Sequence, residues 1–95
     1  MKLSPQSRIH RAPDTVWREI DGRAVIISLD DGRVRTVNPT GAEVWSRLDG
    51  RSVAEVLGEL GSLYPEVPSV DLEEHLDAFV DDLVQRGIAH VETPA

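Results

Sequence analysis

Residues 16–39 read VWREIDGRAVIISLDDGRVRTVNP, and two turn signals inside this stretch decide the fold. Asp21-Gly22 separates the run 16–20 from the run 24–29, and Asp30-Asp31-Gly32 separates the latter from the run 33–37. Asp-Gly between β-rich runs is the strongest short hairpin signal, because both residues tolerate the positive φ of a hairpin turn. The three runs predict an antiparallel meander. In the middle run Val25, Ile27 and Leu29 share one face, and Ala24, Ile26 and Ser28 the other. Its near-continuous hydrophobicity suits the central strand.

Past this stretch the apolar period changes from two to 3.6. Asn38-Pro39 is a helix start, with Asn capping and Pro at the first helical position, where its missing N–H costs nothing. Ala42, Val44, Trp45 and Leu48 make an apolar helical face that Asp49-Gly50 ends. Ser52 and Glu55 form a capping box before Val53, Val56, Leu57 and Leu60. Prolines 65 and 68 bound a linker. Asp71 and Glu74 repeat the capping-box spacing and predict a third helix, whose stripe is Leu72, Leu76, Phe79, Val80, Leu83 and Val84. Gly87 fits a left-handed helix terminus, and residues 88–92 read as a short extra strand. The prediction is an α+β fold: a three-stranded antiparallel sheet followed by three helices, similar to a winged helix with its strands first.

The chain has 95 residues and a mass of 10.5 kDa, which predicts one domain, residues 1–95, with its core over about 9–90. It has no cysteine, which excludes disulfides, thiol catalysis and Cys-ligated metal. No apolar run approaches the roughly 18–20 residues of a membrane span, and residues 1–13 lack a signal-peptide core, so a cytoplasmic, membrane-free protein is expected. The net charge of −7 is unevenly placed. Residues 1–51 carry nine basic and seven acidic groups, whereas residues 52–95 carry ten acids against Arg86 alone. Nucleic acid is therefore not expected as a partner, because phosphate neutralisation needs several Lys or Arg contacts.

Catalytic motifs do not stand out: there is no GxSxG, no HExxH, no Gly-rich phosphate loop and no nucleophile beside a base. His75, with Asp71 one turn earlier and Glu74 adjacent, has no evident third metal ligand and reads as solvated. No catalytic role and no cofactor are expected. The acids of the third helix, among them Asp77, Asp81 and Asp82, read either as a solvated face or as a contact surface for a basic partner. Trp45 falls on the apolar face of its helix and is expected in the core. Trp17 fits a core residue, a cap on an open end or an exposed anchor.

The strand Arg33-Val34-Arg35-Thr36-Val37 lies at an edge of the meander unless the C-terminal segment covers it. An unpaired edge offers main-chain N–H and C=O groups to an extended peptide. Arg33 and Arg35 then read either as guards against aggregation or as specificity contacts. The same open edge allows self-pairing, so a monomer or a weak dimer is expected.

The run 30–45, DDGRVRTVNPTGAEVW, resembles the core signature of the PqqD-like family: a Gly-bounded strand, then hydrophobic-Asn-x-Thr-Gly-Ala and an aromatic or Leu. The stretches 48–56, LDGRSVAEV, and 13–22, PDTVWREIDG, are also similar, as is the terminal Asp71, Phe79, Leu83, Gly87-Ile88 pattern. Coverage runs from about Ile9 to His90. The resemblance implies a recognition element for ribosomally made, post-translationally modified peptides. Such an element holds the leader of a precursor peptide and delivers it to a maturation enzyme, such as a radical SAM protein, a cyclase or a leader peptidase. The leader would add beside the strand 33–37 and pack against the third helix, with Asp77 and Asp81 flanking it and favouring basic residues. Val80 and Val84 would supply apolar floor. The competing expectation is a winged-helix-type or other interaction domain unconnected with peptide modification.

Overall fold

The computed structural model describes residues 3–94. The predicted meander is present as β2 (Thr15–Ile20), β3 (Arg23–Ser28) and β4 (Val34–Val37), which follow β1 (Arg8–Arg11) in the chain. Asp21 and Gly22 have φ of 53° and 78°, the pair of positive angles a tight hairpin turn requires. Thr15 faces Ser28 at one end of the first ladder and Ile20 faces Arg23 at the other. Val34 faces Ile27 and Val37 faces Ala24 in the second. Ala24 and Ile26 are fully buried, so their face of β3 is the core face. The opposite face carries a solvent-exposed apolar row, Val16, Ile27 and Val34.

The helices follow as α1 (Pro39–Trp45), then α2 (Val53–Leu63) and α3 (Ser69–Gln85), with β5 (Asp49–Ser52) between the first two and β6 (Ala89–Glu92) last. The Asn38 side chain accepts from the Gly41 amide at 2.7 Å, capping α1. Ser52 and Glu55 exchange both bonds of the capping box of α2, each at 3.1 Å. The third expected box does not form. α3 starts three residues earlier than the Asp71–Glu74 spacing implies, with Pro68 as its cap and no side-chain bond there. The Pro68 carbonyl instead takes the amides of Asp71 and Leu72, which leaves Asp71 in the first turn, where the dipole favours it.

The expectation of one sheet is corrected to two. β1 pairs antiparallel with both β5 and β6, giving the order β5-β1-β6, separate from β2-β3-β4. The anticipated C-terminal strand therefore completes this second sheet and leaves β4 uncovered. A core of Ile9, Ile26, Trp45, Leu48, Val56 and Leu76, with Val80, Leu83 and Ile88, fills the space between sheets and helices. Trp17 closes one end of it. Its ring meets Trp45 edge-on at 6.4 Å, with the Arg11 guanidinium 5.4 Å from its centroid. No helix of the described residues is long and apolar enough to cross a membrane.

Candidate functional site

β4 is an edge strand, and the ladder fixes which of its groups are free. The Ser28 amide donates to the Arg33 carbonyl at 2.9 Å, which makes Ser28–Arg33 a hydrogen-bonded pair of the β3–β4 ladder. Antiparallel pairs alternate between bonded and non-bonded. Arg35 and Val37 therefore turn their main-chain groups towards β3, as does the carbonyl of Arg33, whose amide goes to Asp31 instead, and Val34 and Thr36 turn theirs outward. The side chains of Val34 and Thr36 are exposed, whereas Arg35 and Val37, on the core face, are partly buried. The edge is thus a short template with two outward residues.

The two arginines of this strand behave differently. Arg33 is exposed and faces Asp31, its Nε 3.4 Å from a carboxylate oxygen of that residue. The Asp31 carboxyl is held below the usual carboxylate range, chiefly by the Arg33 amide. This suits an edge guard. Arg35 lies in the row opposite Ile26, its Nε is buried, and that nitrogen has no hydrogen-bond partner.

At the C-terminal end of β4 the chain enters α1 beside α3. A Cβ at Gly41 would meet Val37 Cβ at 3.2 Å and the Phe79 ring at 3.4 Å, so these three elements are in close contact. A cavity of about 200 Å³ opens there, lined by Asn38, Thr40, Leu72, His75 and Phe79. One flank of α3, at the i, i+3, i+7 spacing of 72, 75 and 79, therefore faces the β4–α1 junction.

The residues anticipated on α3 fall elsewhere. Val80 is fully buried and belongs to the core rather than to the floor of a groove. Val84 packs against that core, partly buried. Asp77 lines a different cavity of about 510 Å³ with Leu3, Pro5, Val53, Leu57 and Val70. Asp81 accepts from Gln85 at 2.9 Å and follows Asp77 by one turn. The structure thus groups Asp77 with α2 and the N-terminal segment, and helical spacing puts Asp81, one turn on, on the same flank of α3, away from Phe79. Asp82, on the Phe79 side, is paired with Arg86 at 2.9 Å. Sequence reasoning kept Arg33 to Val37 together but missed the flank of Leu72, His75 and Phe79. Its signal was present: Leu72 and Phe79 border the apolar stripe, with His75 just beyond it.

Fold and edge together define a small α+β module in which an open edge strand, β4, lies beside a helix flank. The chain belongs to the PqqD family, whose model, Coenzyme PQQ synthesis protein D (PqqD), matches residues 23–89. It is 32% identical over 82 residues to the antilisterial bacteriocin subtilosin biosynthesis protein AlbA of Bacillus subtilis (strain 168). That match covers 85% of this chain and 17% of AlbA, so the chain spans about a sixth of that relative. Two solved structures share the fold over 90% of this chain and 98% of theirs. One is TbiB1 in complex with the TbiA(beta) leader peptide, with a TM-score of 0.78 and 23% identity. The other is lasso peptide synthetase B1 complexed with the leader peptide, with a TM-score of 0.74 and 31% identity.

Proposed function

We propose that this domain binds the leader segment of a ribosomally made precursor peptide as an added strand on β4 and presents it to a maturation enzyme. The observation that carries the reading is the unpaired edge, with the main-chain groups of Val34 and Thr36 turned outward on a strand whose last residue, Val37, packs beside Gly41 and Phe79. Main-chain bonds to such an edge supply affinity, and pockets for alternate side chains supply selectivity. Two relatives of the same fold solved with leader peptides support it, one of them 31% identical to this chain. The role is recognition, and the chemistry belongs to the partner, a radical SAM protein, a cyclase or a leader peptidase. That this chain corresponds to a sixth of AlbA supports such a division of labour.

Thr36→Pro tests the reading. It removes one outward N–H without removing a ladder bond, and a proline suits an edge position of this kind. Affinity for the leader of the cognate precursor should fall at least tenfold, about 1.4 kcal/mol, with the circular dichroism spectrum unchanged. Unchanged affinity in a folded Thr36→Pro protein would contradict strand addition at β4.

A further inference from the structure

Arg35 is the one side chain on the core-side face of β4 whose chemistry the fold leaves unanswered. Its Nε is sealed from solvent and has no acceptor. Among the described residues it has no ion pair, although Arg33 has Asp31, Arg47 has Glu43 and Glu59, and Arg86 has Asp82. A guanidinium is always charged and carries five donors in a fixed fork matched to a carboxylate. An edge guard needs its charge in water, so partial burial argues against that role for Arg35. Its position points to a ligand instead. Arg35 makes a bonded pair with Ile26 on β3, so its outer side is the non-bonded position of any antiparallel strand added to β4. Opposing side chains approach most closely at such a position.

We propose that Arg35 is the specificity-determining residue of the β4 edge and selects a peptide carrying Asp or Glu directly opposite it. The proposal rests on the strand-addition reading and deepens it. A residue opposite Arg35 shares its face of the sheet, and so does the residue two places away, opposite Val37. That second residue lies beside Val37, which packs against Gly41 in the wall of the cavity lined by Leu72, His75 and Phe79, and is apolar. The selected segment therefore pairs an acidic with an apolar residue at a spacing of two. In antiparallel addition the apolar residue comes first, and in parallel addition the acid does. This reverses the charge preference that Asp77 and Asp81 suggested from sequence, because those acids stand on the other flank of α3.

A displayed library of random peptides, selected in parallel on the wild-type protein and on Arg35→Glu, Arg35→Met and Thr36→Pro, is the test. Each variant is first checked for folding by circular dichroism, and Arg35→Met keeps the apolar stem if Arg35→Glu does not fold. Wild-type selection should enrich Asp or Glu two residues from an apolar residue. Arg35→Met should lose the acidic preference and bind the wild-type winners about tenfold more weakly. Arg35→Glu should enrich Lys or Arg at the same place. Peptides that need an intact Thr36 yet show no acidic preference overturn the role of Arg35 alone. Peptides that bind Thr36→Pro as well as wild type, or no enrichment at all, overturn strand addition itself.

Discussion

Gly41 shows how little space separates the binding edge from the helices. Replacing a helical glycine by alanine ordinarily gains about 1 kcal/mol in helix propensity. Here the added Cβ would lie 3.2 Å from both Val37 Cβ and the capping oxygen of Asn38. Val37 Cβ sits next to the backbone and cannot swing aside. Gly41→Ala should therefore destabilise the protein by about 1 kcal/mol or more, as overpacking does, and urea unfolding would show the opposite sign if β4 and α1 can part freely. Glu55 offers a pH test at the same scale. Its carboxyl is held below the usual carboxylate range, first by the Ser52 amide that donates to it. A depressed folded pKa contributes stability that is present above the unfolded value and is lost as pH falls through the folded one. The stability difference between wild type and Glu55→Gln should be present at neutral pH and shrink as pH falls below the usual carboxylate range. A difference independent of pH would show that the carboxylate charge contributes nothing to the cap.

At the scale of elements, the meander was legible because its signals are local. Asp21-Gly22 fixes the first hairpin with two positive φ angles, and the apolar run of β3 fits a strand flanked on both sides. β1 and β5 were not legible. Each has four residues, β1 buries Ile9 alone, and their pairing joins Arg8 to Ser52 across more than forty positions. Short strands of that kind are specified by their partners, not by their own pattern. Which flank of α3 borders β4 was not legible for a related reason. Periodicity locates the buried stripe of Leu76, Val80 and Leu83, but which border of the stripe turns to β4 depends on how α3 lies on α2 and β6. The alternation along β4 gives a prediction at this scale. Arg35→Pro removes an N–H that bonds β3 and should unfold the sheet, whereas Thr36→Pro, one residue on, should leave it intact. Proton spectra in which both variants lose, or both keep, the dispersed amides of β3 would show that the register is wrong.

The described residues measure 36 × 36 × 17 Å, with two three-stranded sheets packed against three helices. Trp45 sits where the layers and both sheets meet. It is fully buried, touches Trp17, and its carbonyl accepts from Arg11 at 2.8 Å. Burial lowers the Arg11 pKa, while Asp49 opposes that effect. Trp45→Ala should cost about 3–5 kcal/mol. Trp45→Phe should cost distinctly less, because it also removes an indole N–H that has no partner in the core. Equal losses in denaturant unfolding would show that ring volume is not what Trp45 contributes.

The central claim is that the free edge of β4 receives an extended peptide, and amide hydrogen exchange measured residue by residue tests it most directly. In the free protein the Val34 and Thr36 amides should exchange fast, while those of Arg35 and Val37, bonded to β3, exchange slowly. Saturation with the cognate leader should protect Val34 and Thr36 and leave Arg35 and Val37 as they were. Protection confined to the α2–α3 cavity around Leu57 and Val70, with Val34 and Thr36 still exchanging fast, would contradict the account.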